Sequence, residues 1–581
     1  MTRTTRRVLL GVVLLLALLG WLAVRTVQLR NHLVAAKAVL ASVPTSLDGE
    51  TGVRLGVQAQ AASADVRGAK RAADDPVFWL AAHVPVLGRS FALARGVTDV
   101  TERVVDRVLV PSSKAAIAFQ HGHLLQAGKV DLQLLAGLQE PLRKAALASG
   151  AARARADRLP NSLIPIQLLR QRDELVAQVD RLDGALSAAS TTVRLAPDML
   201  GRSGPRHYFL AVQNNAEARG TGGLIGAYAV ITADHGRLTR DRVGTDRDLQ
   251  ATAHAVVDLG AEYADHYDQY QSRNDWRSAV LTPEWPSAAA TIGGLWTSRS
   301  HQPLDGVIGI DPHSMASVLA ATGPVDAGGQ SIGAGNVVDF VMRDEYTVFA
   351  KHEDERKQVL SQLAGGIFDK VVSGQASASA LVKAFAAAGH NGHLQLWSGH
   401  PAEQSALAGG SIGGRLVDAP SALQVVSSNS SGNKLDYYVR RTVGYTRPSR
   451  GKGLATVTLL NTVDPAAVPA YVNSRVDLYG FQVKQGLDGT TTQLLSVYGG
   501  VGAQLFGVKL NGATVPVEFG FERGHPYMTL LVELKPRVPM RIDVSMSDPG
   551  GTLVYRQQPL ARDDVLDITV PYRAVGRTPE G

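Results

Sequence analysis

The chain has 581 residues, 45% of them hydrophobic and 19% charged, with a formal charge of +7 and no cysteine. That balance excludes a largely disordered chain, and the missing cysteines exclude disulfides, thiolate metal sites and a cysteine nucleophile together. The length exceeds what one hydrophobic core usually serves, so a multidomain protein is expected.

Val8 to Val24 reads VLLGVVLLLALLGWLAV without a charge, just reaching the roughly 17-residue lower limit for crossing a bilayer. Arg3, Arg6 and Arg7 precede it and Trp21 lies near its far end, so a single-pass plasma-membrane anchor is expected, N-terminus cytoplasmic and the bulk of the chain extracytoplasmic. A cleaved signal peptide is the competing reading; the apolar core is long for one, and Arg25 and Arg30 follow before any small-x-small cleavage site. The basic residues are scattered, as solvated helix faces would have them. Attraction to anionic lipid headgroups or a phosphate-rich envelope polymer is the sharper reading, and nucleic acid is not an expected partner.

Residues 26–200 read as a helical stalk. Apolar residues recur at three- and four-residue spacing, as in LLRQRDELVAQVDRLDGAL from Leu168 to Leu186. Breaks are expected at Asp75-Pro76, at Pro85 and at Leu159-Pro160, because proline lacks the amide proton and crowds the preceding turn. His121 and His123 have no evident carboxylate partners and read as surface residues.

From 201 to 432 the pattern becomes that of an α/β domain. Tyr208 to Gln213, Leu224 to Thr232 and Arg237 to Val243 are strand-like, the last two joined by a turn with His235 at its tip. Leu304 to Ile310 is a further strand, and Asp311-Pro312 opens a helix through Leu319. Helices are expected at 336–349, 353–372 and 377–388, then strands at 394–397 and 423–427, giving a largely parallel or mixed sheet. From 433 to 581, short alternating strands such as KLDYYVRRTVGYT and YMTLLVELK predict a β-sandwich.

Candidate chemistry concentrates in QNNAEARGTGG, Gln213 to Gly223. Read as a polar loop after a strand, it offers Asn214, Asn215, Arg219, Gly222 and Gly223 as an oxyanion cradle, since glycine lets backbone amides approach closely and asparagine donates and accepts. Turn formation alone would use the same residues. Asp246 and Asp248 flank Arg247, a set able to hold Mg²⁺ and a phosphate together, or to form a surface ion-pair run. Arg343, Arg356 and Lys357 lie in VMRDEYTVFAKHEDERKQ, where they either converge on the same ligand or are solvated. No G-x-S-x-G elbow, H-E-x-x-H pair or phosphate-binding P-loop is present.

DPVFWLAAHVPVLGRS, YFLAVQNNAEARGTGGLIGAYAVI, LDGVIGIDPHSMASVLAATGPV and SSNSSGNKLDYYVRR resemble an uncharacterised family (a domain of unknown function) of membrane-anchored actinobacterial envelope proteins. The stretch from Gly222 to Val372 also resembles the LytR-CpsA-Psr family, whose members attach polyprenyl-pyrophosphate-linked glycopolymers to peptidoglycan. That resemblance makes Arg247 the counterpart of a catalytic arginine and Asp248 its neighbour. It departs where Thr221-Gly222-Gly223 replaces an aspartate-bearing motif and where Glu345 stands for an arginine. The resemblance implies a phosphotransferase acting on a polyprenyl-phosphate or cell-wall glycopolymer. Arg247, Arg343 and Arg356 would neutralise phosphate charge, Asp246 and Asp248 would hold Mg²⁺, and Glu217 would be the base. Asp246, Glu217 or Asp275 are the replacements available for the missing aspartate. The alternative is a non-catalytic envelope scaffold that binds protein partners.

Overall fold

The structure is a computed structural model describing residues 17–18, 20–32, 49–86, 88–121, 124–480 and 488–576. Most of the apolar run from Val8 to Val24, its preceding arginines, His123 and the side chain of His121 lie outside the described residues. Among the described residues no helix is long and apolar enough to cross a membrane. The chain divides into two compact units, residues 1–125 with 130–199, and residues 126–129 with 200–581.

The first unit is helical. Its long helices are Gly49–Ala73, Arg89–Glu102, Val110–His121, Leu132–Ala156 and Ile166–Met199. Breaks fall where the prolines place them: the first helix stops at Ala73, and Asp75 then caps the next by accepting from the Val77 amide at 3.0 Å, with Pro76 in its first turn. Pro141 and Pro197 are instead held inside helices. Val100, Val104 and Leu109 pack with Ala59, Ala62, Val66, Ala152, Ala156 and Val179 in one buried cluster, where alanine lets helices approach closely.

The second unit opens on a mixed sheet. In spatial order its long strands are Arg237–Thr245, Gly222–Asp234, Arg206–Arg219, Gly306–Ile310 and Leu394–Ser398, and Lys129 pairs with Arg237 at the outer edge. Only Arg206–Arg219 and Gly306–Ile310 run parallel among these neighbours. The period-two pattern sends Phe209 and Ala211 to one face, against Trp285, Ile292 and Trp296. Val212 and Ile310 face the other way, onto Met315, Leu319, Val359 and Leu363 of the helices Pro312–Thr322 and Glu353–Val372. Asp311 starts the first of these with a reciprocal cap: its carboxylate accepts from the Ser314 amide, and the Ser314 hydroxyl lies 3.0 Å from the Asp311 amide.

Two six-stranded sheets follow. One orders Glu518–Glu522, His525–Leu534, Thr491–Gly499, Ala422–Asn429, Leu553–Arg556 and Tyr572–Val575. The other orders Ala513–Thr514, Leu505–Leu510, Met540–Ser547, Lys452–Asn461, Val439–Ser449 and Val565–Ile568. Val425, Val497 and Val532 from the first meet Val443, Val457 and Val544 from the second in one buried cluster. The strand at 422–429, expected beside the α/β elements, pairs instead with Thr491–Gly499 and Leu553–Arg556. Every residue of it is buried, so its environment is set from both faces and its polar end at Ser427, Ser428 and Asn429 lies in the interior.

Candidate functional site

The expected polar loop is a buried hairpin. Arg206–Arg219 continues as strand through the whole QNNAEAR stretch, pairing Asn214 with Leu224 and Arg219 with Gly222, with irregular register between Asn214 and Ala218. Its glycines serve close packing. A Cβ on Gly223 would lie 2.3 Å from the Asn214 carbonyl oxygen, and one on Gly220 would lie 2.0 Å from that of Leu281. Gly222 has φ +141°, a conformation side chains rarely adopt.

The polar groups of this hairpin are turned onto protein. Gln213 Oε1 accepts from the Gly223 amide and the Thr221 hydroxyl, both at 3.0 Å, which takes up the amide expected to face a ligand. Asn214 donates to the Tyr346 hydroxyl at 2.8 Å. Asn215 donates to Asp311 at 3.1 Å and to the Pro559 carbonyl at 2.8 Å, while its own buried Oδ1 has no partner among the described residues. Arg219 donates to Glu217 at 2.7 Å and to the carbonyls of Ala218 and Asn429 at 2.9 Å. Glu217 is also paired with Lys434. Burial raises its carboxyl and the Lys434 and Arg219 charges outweigh that, so the net shift is downward. A carboxylate held ionised between two cations is a poor proton acceptor, which argues against the expected base.

A second assembly lies beyond the hairpin. Glu353 Oε1 is 3.1 Å from Arg247 Nη2, 3.5 Å from Lys357 Nζ and 3.8 Å from Arg356 Nη2. The 310-turn after strand Arg237–Thr245 delivers Arg247, and one face of the 353–372 helix delivers the other three. Arg247 is 51% exposed and also meets Asp354 at 2.5 Å, whereas the Arg356 side chain is only 9% exposed. Arg356 lies against the rings of Tyr346 and Tyr471, its Cζ 5.1 and 5.3 Å from their centroids, and donates to Glu345 at 3.0 Å. Glu345 is fully buried, its Oε2 has no partner among the described residues, and burial pushes its carboxyl up to about 7 against the pull of Arg356. Glu345 is thus the counter-charge of Arg356.

Two of the three expected arginines therefore meet. Arg343 does not join them: it pairs with Asp344 at 2.6 Å and donates to the Tyr437 hydroxyl at 3.1 Å. Asp246 is engaged by Lys357 at 2.7 Å, and Asp248 accepts from the Thr245 amide at 2.8 Å as the cap of its own turn. Asp275 is taken by Arg277 at 2.7 Å. Among the described residues no group of three or more acidic, histidine or cysteine side chains is placed to hold a metal ion, and the carboxylates expected to hold Mg²⁺ are engaged by Lys357 and by a backbone amide instead.

Residues 203–346 match the family model described as a protein of unknown function (DUF4012). No curated protein and no solved structure matches the chain significantly. The DUF4012 stretch ends one residue past Glu345, so it holds the signature hairpin, Arg247, Arg343 and Glu345, while Glu353, Arg356 and Lys357 lie beyond it. Partners that sequence reasoning missed are Tyr346, Asp311, Lys434, Asp436 and Tyr471. Asp436 accepts from the Ala218 amide at 2.7 Å, and burial pushes its carboxyl up to about 6. The signal for Lys434 and Asp436 was their position in SSNSSGNKLDYYVRR, one of the stretches carrying the family resemblance.

Proposed function

We propose that this is a membrane-anchored, extracytoplasmic envelope protein whose α/β portion binds a phosphorylated or polyprenyl-linked glycopolymer precursor, with the cations around Glu353 as its anion seat. One observation carries the reading: a single carboxylate oxygen of Glu353 is shared by Arg247, Lys357 and Arg356 at 3.1 to 3.8 Å. A carboxylate of the protein thereby stands where a phosphate oxygen would be held, and Arg247 is exposed enough for an incoming ligand to exchange with it. The α/β portion is read as a distant variant of the LytR-CpsA-Psr fold and the two facing sheets as a β-sandwich module.

Binding without transfer is the favoured form. Glu217 is neutralised by Lys434 and Arg219, and Asp246 and Asp248 are engaged by Lys357 and by their own turn, so the carboxylates expected as base and as Mg²⁺ ligands already have partners within the protein. The second reading, a scaffold that binds envelope proteins, is supported by the inward-turned signature hairpin, whose polar groups hold the second unit together.

The test is equilibrium binding of polyprenyl phosphate to the full-length protein extracted in detergent. Replacing both Arg247 and Lys357 by alanine is expected to weaken binding roughly tenfold or more, the factor for about 1.4 kcal/mol. Unchanged affinity in a variant with an unaltered melting curve discards this seat, and no binding by the parent chain leaves the scaffold reading.

A further inference from the structure

We infer that Arg440 and Arg562 form a second anion-binding site, one for a phosphoryl group, with Tyr437 as its platform. The site goes beyond the seat at Glu353 and shares no residue with it.

Three remote segments build it. Arg343 comes from the helical turn Phe340–Asp344, Tyr437 and Arg440 from the entry to strand Val439–Ser449, and Arg562 from the segment after strand Leu553–Arg556. Arg562 stacks on the Tyr437 ring with Cζ 4.6 Å from the centroid, and Arg343 lies at 5.5 Å. The Tyr437 hydroxyl accepts from Arg562 at 2.6 Å and from Arg343 at 3.1 Å, and donates to Asp339 at 2.8 Å.

The charges do not close. Arg343 is neutralised by Asp344 at 2.6 Å and Asp339 at 3.6 Å. Among the described residues Arg562 has only the already shared Asp339 as a carboxylate partner, at 3.7 Å, and its buried Nε has no hydrogen-bond partner among them. Arg440 gives Nη1 to the backbone carbonyls of Tyr437 at 3.1 Å and Val439 at 3.5 Å, and no carboxylate among the described residues pairs with it. Partial burial and then the facing Arg562 charge hold its guanidinium below the ordinary value. Like charges brought together are a cost, and an anion seated beside the two guanidinium groups on their solvent side offsets it.

The chemistry of the guest follows from the geometry. A guanidinium lying on an aromatic face keeps its N–H groups directed outward in its own plane, where they fork onto phosphate oxygens. The adjoining interior hollow, lined by Asp436, Val439, Arg441 and Arg562 among others, measures about 20 Å³. That admits one water and no phosphate, so the anion sits on the solvent side, where Arg440 is exposed. The Glu353 cluster differs in kind: there each cation already has a carboxylate, and a ligand must displace one.

The experiment is calorimetric titration of the full-length protein with inorganic pyrophosphate, beside sedimentation with phosphatidylcholine vesicles with and without phosphatidic acid. Arg440→Gln, an exposed change expected to leave melting unaltered, should weaken pyrophosphate binding roughly tenfold, and Arg562→Gln should do the same. The Arg247→Ala and Lys357→Ala double variant should keep this site, which separates its failure from failure of the Glu353 seat. Loss of pyrophosphate binding alone supports a soluble phosphorylated ligand, and loss of phosphatidic acid binding as well supports a lipid-borne one. Retention of both in Arg440→Gln and Arg562→Gln overturns the site.

Discussion

Arg356 and Glu345 form a buried ion pair, Nη1 to Oε1 at 3.0 Å, in which the carboxyl carries a second oxygen that no described group satisfies. Removing Arg356 strands the Glu345 carboxyl, whereas neutralising Glu345 leaves Arg356 with a second carboxylate, Glu353 at 3.8 Å. Arg356→Met is therefore expected to lower stability by about 3 to 5 kcal/mol and Glu345→Gln by far less. Glu345 is raised from its ordinary 4.5 to about 7. An acid raised on folding contributes stability that is complete below pH 4.5 and is lost as pH rises through about 7. Glu522 (to about 7) and Asp436 (to about 6) act with the same sign. The parent chain should melt lower at about pH 8 than at about pH 5, and Glu345→Gln should narrow that gap; an unchanged gap by differential scanning calorimetry rules the assignment out.

Lys434 and Glu217, 217 residues apart in sequence, form a direct ion pair, with Arg219 also on the same carboxylate. If the role is structural, Lys434→Met should destabilise by about 3 to 5 kcal/mol, since a buried carboxylate keeps only one partner. Adding Glu217→Gln to Lys434→Met should recover part of that loss, a coupling visible in a double-mutant cycle of urea unfolding. Additive losses would mean that the two side chains act independently.

The glycines of the signature hairpin divide by what surrounds them. Gly223→Ala and Gly220→Ala each put a methyl group inside a backbone contact and should cost about 1 to 3 kcal/mol or more. A Cβ on Gly226, three positions along the same strand, meets nothing within 4 Å. Gly226→Ala should shift stability by less than about 1 kcal/mol, in the favourable direction, by restricting the unfolded chain. Equal losses at 223 and 226 in thermal melts would contradict the packing account.

Local pattern made the α/β scaffold legible, and partner identity made the site only half legible. Alternation at Phe209, Ala211 and Val212 gave the strand and its two faces, Asp311-Pro312 gave a helix start, and the charge-rich run from Glu353 gave a helix ending at Val372. QNNAEARGTGG has the composition of a turn, and only its surroundings make it strand: Asp436, Asn429, Pro559 and Tyr346 accept or cap groups that would otherwise require water. Those partners lie as many as 344 residues away, and periodicity carries no information at that range. Arg247 and Arg356 could be suspected of meeting because both are cations near element ends. That Glu353 is the group between them, and that Arg343 leaves for Tyr437, depends on which helix face each residue occupies.

Asp311 and His393 supply the last prediction. Asp311 is buried, accepts from His393 Nδ1 at 2.5 Å and also from Asn215 and the Ser314 amide, while the His393 ring packs 4.5 Å from that of His313. Burial lowers His393 and the Asp311 charge more than reverses it, so the imidazole stays protonated above its ordinary 6.5. Its contribution is complete below pH 6.5 and fades as pH rises through the raised folded value. Asp311 is shifted down from 3.8, so its contribution is present above that value and fades as pH falls through the lowered one. Between the two the pair is fully charged, and Asp311→Asn should bring the His393 titration down, with the stability loss largest at pH values low enough to keep the ring a buried cation. Imidazole NMR titration of His393 checks the sign: a midpoint below 6.5 in the parent protein would mean that burial, not Asp311, governs the ring.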